Sequence, residues 1–120
     1  ELGLLVEDLD QVRDADRIER ERMVSRLREG GFIHEDDPSE EELVLAMHAY
    51  LAASPALLLA VSLVAVVGEK LPQNLPGTNA EYPNWCVPLH AFNGKEVLID
   101  DMAHCDRVKR FLTSVDRYIR

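Results

Sequence analysis

The chain has 120 residues, 47% of them apolar and 29% charged, with a net charge of −9 at pH 7 and an isoelectric point near 4.8. This length suffices for one domain with a modest core. The negative charge argues against nucleic acid or an anionic membrane as a partner, because both bind to cationic surfaces. Neither a signal-peptide pattern nor a disulfide framework is evident in the sequence, so we expect a protein of the reducing cytoplasm.

The first helix is predicted at about residues 7–29, which are helix formers throughout and include neither Pro nor Gly. Its acidic residues lie early and its arginines late, as the helix dipole favours, and Gly30-Gly31 supplies the stop. We interpret the charged face of this helix as solvated, with a docking surface as the alternative.

A second helix is predicted at about residues 40–53. Ser39 is placed to be its N-cap, and Glu42 is placed to close a capping box. His48 lies inside this helix, where a lone histidine is more often partly buried than a metal ligand.

Residues 56–67 form an uninterrupted apolar run after Pro55. Pro55 ends the preceding helix, since it lacks an N–H group and disfavours a helical conformation at Ser54. The remaining run is too short to cross a bilayer, which takes about 20 apolar residues. Periodicity leaves a buried helix or a buried strand open, because the alanines favour a helix and the valines a strand.

The last part of the chain is predicted to hold a turn, a strand and a helix. Asn93-Gly94 indicates a hairpin-type turn, and residues 96–99 are a candidate short strand. A final helix is predicted at about residues 102–118, with Asp100 or Asp101 as its cap.

Residues 73–85, QNLPGTNAEYPNW, are predicted to form a rigid polar loop. Prolines fix its backbone, and Pro76-Gly77 predicts a tight turn. Its polar side chains are neutral amides, one hydroxyl and one carboxylate, on Gln73, Asn74, Thr78, Asn79, Glu81 and Asn84. Amides both donate and accept hydrogen bonds, so the loop suits a ligand rich in hydroxyl groups.

This loop, with Gly68-Glu69 ahead of it, resembles the signature near the C-terminus of the 4-alpha-glucanotransferases, also called amylomaltases or disproportionating enzymes. The matching residues are Asn74, Pro76, Gly77, Thr78, Pro83, Asn84 and Trp85. That family carries a basic residue after the Trp, where this chain has Cys86, so a salt bridge at this position is not expected.

The resemblance implies an α/β fold in which residues 1–120 are a single C-terminal segment of a (β/α)8 barrel. As an isolated fragment, this segment is expected to be mostly helical with a few short strands. The resemblance implies that residues 1–6 leave a strand that carries a catalytic carboxylate, and it favours the last barrel strand for at least part of residues 56–67. The loop would then follow the C-terminal end of a strand, where barrel enzymes place their active sites.

The resemblance further implies transfer of alpha-1,4-glucan segments to a glucose or maltooligosaccharide acceptor with retention. Retention requires two carboxyl groups about 5–5.5 Å apart. No residue of this chain matches the catalytic acids of the family, and the neighbouring Asp100 and Asp101 suit helix capping instead. We therefore expect no catalytic residue in this chain and no activity of the chain alone.

The expected substrate-binding residues are Asn74, Gly77, Thr78 and Trp85. Asn74 would bond glucose hydroxyls, or else satisfy backbone groups of the turn. Gly77 and Thr78 are expected mainly to shape the turn. Trp85 would stack on a glucose face, or else anchor the core. The roles of two further loop residues stay open: Glu81 and Asn84.

No cofactor or metal is expected. Four residues offer a zinc alternative, although their spacing is poor for one tetrahedral site: Cys86, His90, His104 and Cys105. A non-catalytic acidic helical interaction module is a second alternative, but it leaves the rigid loop without a purpose. A barrel strand without its neighbours exposes apolar surface, so we expect the fragment to self-associate or to repack residues 56–67 as a helix.

Overall fold

The charged N-terminal segment folds as helix α1, Leu9–Glu29, in a computed structural model that describes residues 8–119. The side chain of Asp8 caps it by accepting hydrogen bonds from the backbone N–H groups of Asp10 and Gln11. The helix ends at Gly30, as predicted, and Gly31 follows with a φ of 74°. The strand exit expected at residues 1–6 lies outside the described residues.

Helix α2, Glu40–Ala52, begins with the predicted capping box. The backbone N–H of Glu42 donates to the Ser39 hydroxyl, and the Glu42 carboxylate accepts from the Ser39 N–H at 2.7 Å. The helix ends ahead of Pro55, also as predicted. His48 is part-buried and structural, because its ring Nδ1–H donates to the Val44 carbonyl at 2.7 Å.

Helix α2 forms part of both hydrophobic cores. The first core lies between α1 and α2 and consists of Val24, Leu27, Ile33, Leu43 and Ala46. The second core consists of Val66, Val67, Val108, Phe111 and Val115, and other α2 residues pack against it. Because α2 buries residues on two sides, it joins the N-terminal and C-terminal parts of the chain into one body.

The strand expected within residues 56–67 is absent. Residues 56–62 are irregular chain, and the run ends in the short helix α3, Leu63–Val67. Val66 and Val67 are buried, whereas Leu57 and Leu58 are 98% and 91% exposed. A strand needs a neighbour for its backbone groups, and no strand occurs elsewhere in residues 8–119 to provide one.

In the C-terminal part, the strand predicted at residues 96–99 is wrong, and the helix predicted at residues 102–118 is confirmed over residues 106–116 alone. Glu96 forms a single antiparallel bridge with His90, and the chain then continues as helix α4, Ile99–Met102. Helix α5, Asp106–Asp116, starts separately after Cys105, whose extended backbone interrupts the helical path. Cys105 packs against the second core, which favours this interruption over a continuous helix.

The predicted caps, Asp100 and Asp101, lie inside α4. Neither residue is the N-cap of α4 or of α5, because those positions are Leu98 and Cys105.

Arg107, on α5, connects three helices. Its Nε–H donates to the Val66 carbonyl at the C-terminal end of α3, at 3.1 Å. Its guanidinium also lies 3.1 Å from the carboxylate of Glu41 in the first turn of α2, and Arg110 pairs with the same carboxylate at 2.8 Å. Arg107 has a side chain only 13% exposed, so its charge is paired where water is scarce.

In residues 8–119, every helix is either too short or too polar to span a lipid bilayer.

We predict that Gly68→Ala destabilises the chain more than Gly94→Ala. Both glycines have a φ near +80°, so both substitutions should cost about 1 kcal/mol of backbone strain. A Cβ at Gly68 would also stand 2.9 Å from Arg107 Nε, whereas a Cβ at Gly94 meets no atom within 4 Å. Displacing Arg107 should cost about 1 kcal/mol more. Urea unfolding measures the difference, and equal losses would show that Arg107 moves aside freely.

Candidate functional site

The predicted tight turn is present at Pro76-Gly77. The N–H of Thr78 donates to the carbonyl of Leu75 at 3.3 Å, and Gly77 has a φ of 84°. This pattern, with Pro at the second position and Gly at the third, is that of a type II turn. The Thr78 hydroxyl donates to the same carbonyl at 2.6 Å, so Thr78 and Gly77 both shape the turn.

Asn84 holds the two halves of the loop together. Its side-chain oxygen accepts a hydrogen bond from the Leu75 N–H at 2.7 Å. Its amide nitrogen donates to the Thr78 carbonyl at 3.2 Å and to the Thr78 hydroxyl at 3.0 Å. The N–H of Trp85 adds a backbone bond to the Gln73 carbonyl at 2.7 Å. The role of Asn84, left open by the sequence, is therefore structural in this chain.

Asn74 and Trp85 are the two expected binding residues with exposed side chains. The alternative role of Asn74 was to satisfy the turn, but Asn84 and Thr78 do so, and Asn74 stays exposed. Trp85 is 76% exposed and has a φ of 62°, so it does not anchor either core here. Its backbone bond places Trp85 beside Gln73, the residue that precedes Asn74.

Glu81 stabilises the far end of the loop. Its carboxylate accepts a hydrogen bond from the Asn79 N–H at 2.9 Å. This bond and further backbone N–H groups lower the pKa of the Glu81 carboxyl below its usual range. The Glu81 carboxylate is therefore ionised near neutral pH and stabilises the loop by hydrogen bonds within it.

Glu69 is the residue of the site that sequence reasoning missed. Its side chain is only 4% exposed and accepts four hydrogen bonds. One carboxylate oxygen accepts from the backbone N–H groups of Lys70 and Leu71, at 2.7 and 2.8 Å. The other accepts from the backbone N–H and the ring Nδ1–H of His90, at 2.7 and 2.9 Å. Gly68-Glu69 was noted ahead of the loop, but nothing in the sequence indicated that residue 90 would return to it.

The hydrogen bonds to Glu69 decide its protonation state. Burial acts to raise the pKa of the Glu69 carboxyl. The hydrogen bonds from Leu71, His90 and Lys70 outweigh burial, so the pKa lies below its usual 4.5. A carboxylate that accepts four bonds leaves no oxygen free to act on a ligand.

A large cavity of the described residues lies away from the loop. A cavity of about 510 Å³ lies between the end of α2, residues 53–59 and the C-terminal Tyr118 and Ile119, and residues 73–85 are not part of its lining. Asn74 and Trp85 are both exposed, so the described chain presents them on an open surface.

The residues of the zinc alternative do not come together. Within residues 8–119, no group of three or more His, Cys, Asp or Glu side chains is arranged to hold a metal ion. His90 is bonded to Glu69, Cys86 is an exposed free thiol, and Cys105 is a free thiol packed against the second core. The convergence that this alternative required is absent.

Comparison with known proteins identifies relatives over most of the chain. The model of the 4-alpha-glucanotransferase family matches residues 8–93. The 4-alpha-glucanotransferases of Mycobacterium tuberculosis (strain ATCC 25618 / H37Rv) and Mycobacterium bovis are each 40% identical over 102 residues, covering 84% of this chain. The chain spans only 14% of the length of these relatives.

A 4-alpha-glucanotransferase of Haemophilus influenzae is 44% identical over 43 residues, which is 36% of this chain and 6% of that protein. No solved structure matches the chain.

We predict that Asn84→Ala loosens the loop, whereas Asn79→Ala does not. The first change removes three side-chain hydrogen bonds and should cost about 1–3 kcal/mol locally. Asn79 is exposed and takes part through its backbone N–H, which Ala retains. Limited proteolysis should cut within residues 73–85 faster in Asn84→Ala alone. Similar cutting rates in both variants would contradict the bracing role of Asn84.

Proposed function

We propose, because this chain belongs to the 4-alpha-glucanotransferase family, that it is the C-terminal portion of an enzyme transferring alpha-1,4-glucan segments to glucose or a maltooligosaccharide. The observation that carries the proposal is that the family match over residues 8–93 includes the whole braced loop. The match covers only 14% of the length of the mycobacterial relatives, so we assign the catalytic machinery to the rest of the parent protein.

In this proposal, Asn74 and Trp85 contact the glucan. The Asn74 amide both donates and accepts, which matches the hydroxyl groups of glucose. The exposed indole ring of Trp85 offers an apolar face on which a sugar ring can stack. Gly77 and Thr78 contribute by fixing the shape of the turn. Gly77 is exposed and Thr78 is half-exposed, which leaves room for a sugar to approach.

The reaction itself is proposed to proceed with retention, through two carboxyl groups about 5–5.5 Å apart. Asp100 and Asp101 are a poor pair for this, because they are sequence neighbours in the first turn of α4 and consecutive helical side chains diverge. Glu69 and Glu81 are engaged by N–H groups. We therefore assign no catalytic residue to this chain and propose that it is inactive alone.

We propose that the parent enzyme is a (β/α)8 barrel and that residues 56–67 adopt a strand in it. The support is the nearly complete exposure of Leu57 and Leu58, since adjacent large apolar side chains in water indicate a missing neighbour. The helix α3 would then be the form that part of this run takes when no strand lies beside it.

A cytoplasmic location is proposed because Cys86 and Cys105 are both free thiols, as a reducing compartment favours. The non-catalytic helical interaction module is not favoured, since the family match provides a purpose for the loop.

The proposed function is tested in the full-length parent enzyme with Asn74→Ala. Loss of one or two hydrogen bonds to neutral hydroxyls, about 0.5–1.5 kcal/mol each, should raise KM for the glucan by about 3–10-fold. Asn79→Ala is the matched control, because it removes an exposed amide from the same loop. Equal KM values for both variants and the unaltered enzyme would remove Asn74 from the glucan site.

Exposed apolar surface should make the 120-residue chain self-associate when it is separated from the parent. Sedimentation velocity is expected to show dimers or larger species that the double change Leu57→Asp and Leu58→Asp converts to monomer. Leu112→Asp is the control, since Leu112 on α5 is 56% exposed but lies outside this segment. A monomer at all concentrations would contradict the expectation.

A further inference from the structure

Glu69 stands out because it is a buried carboxylate with no role in the chemistry described above. Its side chain is 4% exposed, and all its hydrogen-bond donors are N–H groups. An ionised carboxylate in so dry a position is tolerated only when such bonds replace water.

The hydrogen bonds of Glu69 join the two ends of the loop. Lys70 and Leu71 lead into residues 73–85, and His90 lies five positions after the end of the loop. Because the carboxylate can only accept, the ring Nδ1 of His90 must carry the proton that is shared with Glu69. One side chain therefore closes the base of the loop across 21 positions.

The other charged groups around this contact have their own partners or face away. The ammonium of Lys70 lies 3.3 Å from the Glu40 carboxylate and 4.1 Å above the ring of Phe92. The Arg107 guanidinium lies against Gly68 and pairs with Glu41. Glu96 is opposite His90 in the backbone bridge but is itself exposed.

We propose that Glu69 is a positioning residue whose ionised form fixes the base of the loop, so that Asn74 and Trp85 are presented together to the glucan. The role toward the glucan rests on the proposed function, whereas the fixing of the loop by Glu69 does not depend on it. Misplacing a substrate-contacting group by about 1 Å can cost on the order of 100-fold in rate, so a rigid base is functionally significant.

The contact should be sensitive to acid. The pKa of Glu69 in the folded chain lies below its usual 4.5, so its stabilising effect is complete above about pH 4.5. The effect is lost as the pH falls through the folded pKa and the carboxyl gains a proton. The loop should therefore loosen only below about pH 4.5 and stay fixed throughout the neutral range.

Trp85 allows the test, because it is the only tryptophan of the chain and lies in the loop. Its fluorescence anisotropy reports loop mobility when every variant also carries Leu57→Asp and Leu58→Asp, which keep the chain monomeric. Far-UV circular dichroism reports the helices. Glu69→Gln is expected to lower the anisotropy at pH 7 toward the value of the urea-unfolded chain, with the helical signal retained. Glu96→Gln, a matched change at an exposed position on the bridge, is expected to leave both signals unaltered.

The partner of Glu69 is tested with two substitutions at one position. His90→Asn keeps an N–H donor near the place of Nδ1 and should preserve the anisotropy, whereas His90→Leu removes the donor and should lower it. If Glu69→Gln also reduces the helical signal, the two His90 variants and an acid titration of the unaltered chain show whether the contact between Glu69 and His90 fixes the loop. An anisotropy that is the same in His90→Leu and His90→Asn, and constant from pH 7 to pH 3.5, would overturn the proposal.

The functional half is read in the full-length enzyme. Glu69→Gln should lower kcat/KM for glucan transfer by about tenfold at pH 7, and Glu96→Gln should not. A loop that loosens without any loss of kcat/KM would overturn the positioning role while leaving the contact itself intact. Failure of the proposed function is distinguishable, since Asn74→Ala would then have no effect on transfer whereas Glu69→Gln would still alter the Trp85 signal.

Discussion

The placement of Arg107 is the constraint on which the rest of the structure depends. From its position on α5, its guanidinium donates a hydrogen bond to the last turn of α3 and forms an ion pair with Glu41 in the first turn of α2. The chain leaves α3 through Gly68, which has no side chain to displace Arg107, and the next residue is Glu69. One largely buried cation therefore fixes the point from which the loop departs, and the hydrophobic cores on both sides of α2 keep that point rigid.

The side chains of the loop fall into two groups, those that hold the loop in shape and those that are exposed. The first group makes side-chain hydrogen bonds within the loop and consists of Thr78, Glu81 and Asn84. The second group consists of Asn74 and Trp85, whose side chains are exposed and do not hold the loop together. Groups that a rigid scaffold already holds in place lose little freedom when a ligand binds, so the glucan contacts proposed above would carry a small entropic cost.

Local sequence signals predicted the parts of the fold that local interactions decide. The capping box at Ser39, the stop at Gly30 and the turn at Pro76-Gly77 each depend on residues close in sequence, and each is present. The sequence left residues 56–67 open between a strand and a helix, because an apolar run takes its conformation from its neighbours. In residues 8–119 no strand lies beside this run, and only its last part is helical, in α3.

The same reasoning explains the missed contact of Glu69. Its partner His90 is 21 positions away, and the sequence around either residue contains no local pattern that predicts their contact.

The separation of bracing from outward-facing residues has a consequence for how the loop can change. Substitutions at Asn74 or Trp85 break no hydrogen bond on which the loop's shape depends. If these two residues contact the glucan as proposed, ligand preference can be retuned there by evolution or by protein engineering without refolding the scaffold, and the most productive library would vary them while holding Asn84 and Glu69 constant.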